Sequence, residues 1–352
     1  MRIVHVLHSH GYGGAENHAF VLMRAQQAAG HEVLYAGPLD SWLGRACQAH
    51  GIPCQHLRMS GLFDLPSHLA LRRLVRTWQA DIVHGHLVRG AQYAGLAGHR
   101  RRRPVAVCTA HATTAHKHMD RCAHIIAVSR AVQDNLLRHG HAAEHTSVIY
   151  NGMPEGPHGE RAALRAELGI PEGQFAVVNV GRFIRDKGQD LLVQAWSQLS
   201  DPRVHLYLIG DPGTAFGQEV QALPQHHERI HYLGYRNDVQ RVLPAFDAYA
   251  LSSRREALGL SVIEAFAASL PVIATAVGGV PEIVVADQTG WLVPPENPEA
   301  LADAITRLTL APETAGQLAR AGRAFYLEHL TDTRMVEQTL AVYQRCLAAT
   351  HP

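Results

Sequence analysis

RIVHVLHSHGYGGAENHAFVLMRAQQAAGHEVLYAGP (residues 2–38) holds a strand, a helix and a second strand in one stretch. RIVHVLHS is a short run dominated by apolar residues, as expected of a strand buried on both faces. AENHAFVLMRAQQAAG reads as a helix, with Gly30 as its expected terminator. EVLYAGP returns as the next strand. A strand, a covering helix and a parallel strand form the repeating unit of an open α/β sheet.

The same alternation continues. DIVHGHL, PVAVCTA, AHIIAVS and HTSVIYNG complete a first set of six predicted strands. FAVVNVGR, VHLYLIGD, IHYLGY, AYALSS, PVIATAV and GWLVPP form a second set of six. Between the sets lies NGMPEGPHGERAALRAELGIPEGQ, rich in Gly, Pro and charge, which places a domain boundary near residues 152 to 172. The expected fold class is therefore α/β, with two doubly wound, Rossmann-like domains facing across a cleft. Residues 1–155 plus a returning helix at 335–352 form one domain, and 156–334 the other. Ligands of such sheets bind beyond the carboxyl ends of the strands.

The 352 residues are 47% hydrophobic and 18% charged, an ordinary globular composition. No apolar run reaches the ~18 to 20 residues of a membrane span, and the start reads as a buried strand, not a signal peptide. Five scattered cysteines without a CxxC pair suggest reduced thiols and a cytoplasmic setting. The net charge of +1 hides an asymmetry. The first 150 residues carry 16 Lys and Arg against 8 Asp and Glu, and 18 of the 25 histidines. LRRLVR (71–76) and HRRRR (99–103) are the densest basic segments, and suggest an anionic partner or a solvated basic face. With few aromatics beside them, they do not indicate nucleic acid.

Four motifs follow strands. GYGGAE (11–16) opens a helix, and Gly13 and Gly14 would let backbone N–H groups approach an anion, or make a plain tight turn. In VNVGRFIRDKGQD (178–190), Arg182 and Lys187 supply a guanidinium and an ammonium, which suit a diphosphate. In RREALGLSVIEAF (254–266), Gly259 and Leu260 begin a helix whose free N–H groups suit a phosphate. Glu256 precedes that helix and Glu264 rides on it. Carboxylates beside a diphosphate point to sugar and ribose hydroxyls as their partners, although Glu264 alone could be a solvated helix residue. His111, past the strand PVAVCTA, could meet a sugar hydroxyl or be structural. HGH (84–86) and HKH (116–118) lack a second ligand pair at a known spacing, so the expected metal set is none.

Taken together, GGAE, the His after TA, NGM, GR…KG, LIGD, LGYRNDV, the Glu-x7-Glu stretch EALGLSVIE and PVIATAVGGVPEIV closely resemble the retaining glycosyltransferases of family 4. The resemblance covers nearly the whole chain and is densest from 178 to 295. It implies the GT-B fold and transfer of a sugar from a nucleoside-diphosphate donor, with uridine the favoured base, to an acceptor hydroxyl. It further implies that Arg182 and Lys187 hold the diphosphate, that Gly259 and Leu260 cradle it, and that Glu264 binds the ribose. Glu256 would face the donor sugar, His111 its hydroxyls, and the backbone near Arg236 the base. Gly13 and Gly14 would close on the phosphates. His111 and Glu256 are the catalytic candidates. No metal or cofactor is expected, because fixed cations and N–H groups can stabilise a diphosphate leaving group.

The implied acceptor is a lipopolysaccharide or other lipid-linked surface glycan, with peripheral contact of the basic first domain on an anionic inner membrane face. Three departures bear on the substrates. The segment after His111 is short, LIGDPG replaces the usual order, and ALGL stands where relatives often have Gly-Phe-Gly. A GT-B nucleotide-sugar epimerase, or a non-catalytic nucleotide-sugar-binding protein, would share the fold.

Overall fold

The computed structural model describes residues 1–157, 159–223 and 228–350. The chain divides into two compact units: Met1–Pro154 with the segment from Leu330 onward, and Glu155–His329. Residues 351 and 352, with which the predicted last helix closed, lie outside the described residues.

The first unit is built on seven strands: β1 Arg2–Val6, β2 Glu32–Gly37, β3 Cys54–His56, β4 Ile82–His86, β5 Val105–Ala110, β6 His124–Ala127 and β7 Thr146–Val148. They pair in parallel in the order β3-β2-β1-β4-β5-β6-β7. Six of the seven are the strands read from sequence. β3, with the sequence CQH, is too short and polar to show a period, and is fixed by pairing along β2. The central strands β4 and β5 are buried throughout, as a sheet covered on both faces requires. The helix Gly14–Ala28 lies against the returning helix Asp332–Ala348. Met335, Val336, Val342 and Tyr343 of the latter join Ile3, Leu22, Val105 and Val107 in one apolar core.

The second unit carries β8 Phe175–Val180, β9 Val204–Ile209, β10 Ile230–Gly234, β11 Ala248–Leu251, β12 Val272–Thr275 and β13 Trp291–Val293. All pair in parallel, in the order β10-β9-β8-β11-β12-β13. Its core is centred on Trp196, fully buried, whose indole N–H donates to Val204 O at 3.3 Å. Helix starts follow local chemistry. Ser41, Asp64, Ser129, Thr214, Asn297 and Thr331 each accept from the backbone N–H three residues on. The region read as a linker contains a helix, Arg161–Glu167. Arg161 and Arg165 clamp Asp247 at 2.6 and 3.1 Å, and Asp247 accepts from the Ala176 N–H at 2.7 Å. A charged stretch thus becomes ordered by gripping the base of β8 and β11.

Candidate active site

β8 and β11 are neighbours in the sheet, so the segments after them leave it side by side. After β8 the chain passes Arg182 and makes a single turn over Arg185–Lys187. Gly188 then takes φ +64°, and a Cβ there would lie 2.1 Å from Ser252 O. Both the left-handed backbone and the close approach demand glycine. Ser252 Oγ donates to Lys187 O at 3.1 Å, and the Arg254 and Arg255 N–H groups donate to Asp186 O at 2.8 and 3.3 Å. The Arg254 guanidinium holds Asp190 through two bonds of 2.7 and 2.8 Å.

This lacing delivers Lys187 to Glu256. Lys187 Nζ donates to Glu256 Oε1 at 2.5 Å, and Ser253 Oγ donates to the same oxygen at 2.9 Å. Glu256 is buried, and its Oε2 accepts no hydrogen bond among the described residues. Lys187 is thus committed within the protein. Arg182 is exposed, and its guanidinium makes no ion pair or hydrogen bond among the described residues. A ligand anion would meet Arg182 first, and Lys187 with its charge already shared.

The helix Leu260–Ala267 follows immediately. Its cap, Gly259, takes φ +98°, while a Cβ there would meet only ordinary contacts at 3.5 Å, so backbone conformation alone selects glycine. Val262 is the first residue of the turn to bond back, to Gly259 O at 3.0 Å. The N–H groups of Leu260 and Ser261 find no acceptor among the described residues. They are free donors at the positive end of a helix. Glu264 is half-buried, without a hydrogen bond or ion pair for its carboxyl among the described residues. Desolvation by the surrounding protein pushes its pKa up to about 7. It is therefore not a solvated helix glutamate. The Arg236 guanidinium is spent on Asp238, through two bonds of 2.9 Å, so only backbone is available there. The Gly210 N–H donates to Gly234 O at 2.9 Å, which holds the start of the Arg236 loop beside the end of β9.

The other sequence candidates belong to the first unit. Gly13 caps the helix Gly14–Ala28 with an extended backbone, φ −169°, which places no demand for glycine by itself. His111 follows β5 and is half-buried. Its Nε2 lies 3.2 Å from His86 Nδ1, and behind it stands a histidine cluster that sequence reasoning did not assemble. His86 Nε2 meets His5 Nδ1 at 2.9 Å, and His5 Nε2 meets Gln26 Oε1 at 2.7 Å. His84 bonds Tyr343 and Thr109 at 2.5 and 2.7 Å. Register supplies the missing signal, since β1 and β4 pair His5 with His84. Burial lowers the pKa of His5 and His18 to about 4, and holds those of His84, His86 and His111 well below the usual histidine value. All five are neutral near pH 7.

The two basic segments also converge. Arg72 and Arg76 share a groove of about 900 Å³ with Arg2, Arg102 and Arg103. It lies at the amino-terminal ends of β1, β2 and β5, away from the strand ends that carry His111. One further spelling, HERIH (227–231), matches a zinc-protease motif that the expectation of no metal spacing overlooked. That motif needs both histidines on one helix face. Here Glu228 and Arg229 form a turn and His231 sits in β10, while residue 227 lies outside the described residues.

Comparison with known proteins separates the two units in the same way. Residues 12–155 match Glycosyltransferase Family 4, and residues 160–325 match Glycosyl transferases group 1. A D-inositol 3-phosphate glycosyltransferase from Segniliparus rotundus is 31% identical over 74% of this chain and 67% of its own length. The chain belongs to the glycosyltransferases of group 1 and family 4. An alpha-maltose-1-phosphate synthase from Mycolicibacterium smegmatis is 32% identical over 64% of this chain, and the match spans 63% of that relative, less than two thirds of its length. The crystal structure of Anabaena HepE with UDP and glucose superposes with a TM-score of 0.85 at 22% identity, over 98% of this chain and 100% of that one. It shares the fold, so this glycosyltransferase has the GT-B architecture. No helix among its described residues is long and apolar enough to cross a membrane.

Proposed function

We propose that this glycosyltransferase moves a sugar, with retention, from a uridine-diphosphate donor to an acceptor hydroxyl without a metal. One observation carries the reading. The Arg182 guanidinium and the N–H groups of Leu260 and Ser261, all unpaired among the described residues, and the Lys187–Glu256 pair belong to the adjoining segments that follow β8 and β11. In this reading Arg182, Lys187 and the helix start hold the diphosphate and stabilise the charge that builds on it as the glycosidic bond breaks. Glu256 offers Oε2 to a sugar hydroxyl while Oε1 stays fixed by Lys187 and Ser253. It orients the donor and is not a nucleophile, and the leaving phosphate takes the acceptor proton on the same face. Glu264 accepts from the ribose hydroxyls, and backbone near Arg236 edges the base. Gly13, Gly14 and His111 serve the same reaction from the first unit. UDP in the HepE structure supports the choice of uridine.

For the acceptor we propose a lipopolysaccharide or other lipid-linked surface glycan, with the basic groove resting on an anionic membrane. The names of the two relatives favour a second class, a phosphorylated sugar or polyol. Calorimetric titration with UDP- and GDP-sugars tests the donor, and product analysis with each acceptor class tests the rest. Failure of every nucleotide sugar to bind would overturn the reading. Donor turnover without any acceptor would instead indicate an epimerase, and binding without turnover on any acceptor a nucleotide-sugar-binding protein. Vesicles with and without anionic lipid, compared for the native chain and a variant neutralised at Arg102 and Arg103, test the membrane contact.

A further inference from the structure

His18, His86 and His111 bring one ligand nitrogen each to within 4.8 Å of one another. They come from three elements, the helix Gly14–Ala28, the end of β4 and the residue after β5. His18 is 2% exposed, yet neither of its ring nitrogens makes a well-formed hydrogen bond among the described residues. The same holds for Oδ1 of Asn151, a buried residue that stands against His18. Asn151 can serve at most one of the two His18 ring nitrogens, which leaves the other buried without a partner among the described residues, a costly arrangement unless something bonds it.

The neighbouring set His5, His84 and His86 is equally close, but its nitrogens are engaged elsewhere. His84 is held by Tyr343 and Thr109, and His5 by Gln26 and His86. Spare lone pairs therefore collect on the His111 side. We propose that His18, His86 and His111 form a binding site for a divalent transition metal of the zinc class.

The hydrogen bonds behind the site prepare it. With Gln26 Oε1 as acceptor, His5 carries its proton on Nε2 and offers a bare Nδ1. His86 then donates its Nε2 proton to His5, which leaves His86 Nδ1 bare toward His111. This is the outer-shell arrangement that orients metal-binding histidines and fixes their tautomer. The separation of His86 Nδ1 and His111 Nε2, 3.2 Å, already matches the edge of a tetrahedron with zinc–nitrogen bonds of about 2.0–2.1 Å, roughly 3.3 Å. On binding, the ion takes both lone pairs, and the proton that His111 shared with His86 moves to His111 Nδ1. Water completes the shell, and Asn151 supports the His18 ring from behind. A metal so held locks His111, the residue assigned above to the donor sugar. The site would therefore make the transferase sensitive to free zinc. That consequence rests on the proposed function, whereas metal binding does not.

The test uses the full chain, stripped with a chelator and titrated with Co2+. The expected result is visible d–d bands of a nitrogen-ligated site at about one equivalent, displaced by Zn2+. H18Q and H111Q should lose the bands. H205Q, which alters a histidine pair in the other unit, should keep them. H5Q removes only outer-shell support and should weaken binding about 10- to 100-fold. If H18Q fails to fold, H111Q decides, since His111 is half-exposed at a strand end. Absence of the bands from the native chain, or their survival in H111Q, would overturn the site. Separately, Zn2+ should abolish native turnover and leave H18Q turnover unchanged. A chain that binds Co2+ but shows no turnover in metal-free buffer would overturn the transferase reading and not the metal site.

Discussion

Arg182 and Lys187 are both cations after β8, but their surroundings separate them. Arg182 has no side-chain partner to lose among the described residues, so R182A should leave stability within about 0.5 kcal/mol of native. It should weaken UDP-sugar binding at least about tenfold, or about 1.4 kcal/mol, as read by calorimetry. K187A would leave Glu256 buried without its counter-charge, and should cost stability as well, up to about 3 kcal/mol in urea unfolding. Equal stability of the two variants would remove the distinction. Glu264 makes a pH-dependent prediction. Its pKa is about 7 in the fold against an ordinary 4.5, so the folded chain holds this proton more tightly than the unfolded chain. Its contribution to stability is therefore intact below pH 4.5 and declines as pH rises through 7. E264Q cannot ionise, and should gain up to about 3 kcal/mol over native between pH 5 and pH 8. A difference independent of pH would show that the carboxyl is not desolvated. The same variant should bind UDP less tightly.

At the scale of elements, two glycines near the candidate site differ in kind. Gly188 is needed both for its left-handed backbone and for its approach to Ser252 O, so G188A forces the turn and the end of β11 apart. A loss of about 3 kcal/mol or more in urea unfolding is expected. Gly259 has room for a methyl group and is selected by φ alone. G259A should cost about 1–2 kcal/mol, with a larger proportional effect on nucleotide affinity because it tilts the Leu260 and Ser261 N–H groups. A stability loss in G259A as large as that in G188A would contradict this division. The elements themselves were mostly legible from sequence. Long apolar runs and cap residues announce β8, β11 and the helix after Gly259. β3 and the helix Arg161–Glu167 were not legible, because CQH exists through its pairing with β2 and the helix through its grip on Asp247.

At the scale of the molecule, the chain leaves the first unit at Glu155 and returns to it at Leu330. The returning helix contributes Met335, Val336, Val342 and Tyr343 to the core that includes Ile3 and Leu22. Tyr343 also bonds His84, and Gln26 donates to Tyr343 at 3.3 Å. Truncation after residue 330 should therefore unfold the first unit. The second unit, whose core around Trp196 draws on none of those side chains, should persist. Limited proteolysis and tryptophan fluorescence would read the two separately, and a truncated chain with a protected first unit would show that the helix is dispensable.

By itself the sequence determined two parallel sheets, and it named the cations, glycines and carboxylates offered as donor-side candidates. These features are written locally, in hydrophobic period, cap residues and short motifs that follow strands. Only the tertiary structure decided that Lys187 is paired while the Arg182 guanidinium has no partner among the described residues, that Glu264 is desolvated, and that the two basic segments share one groove. Only it brought His18, His86 and His111 together from three separate elements. Such properties depend on side chains distant in the chain meeting across a register, and residue spacing carries no record of that.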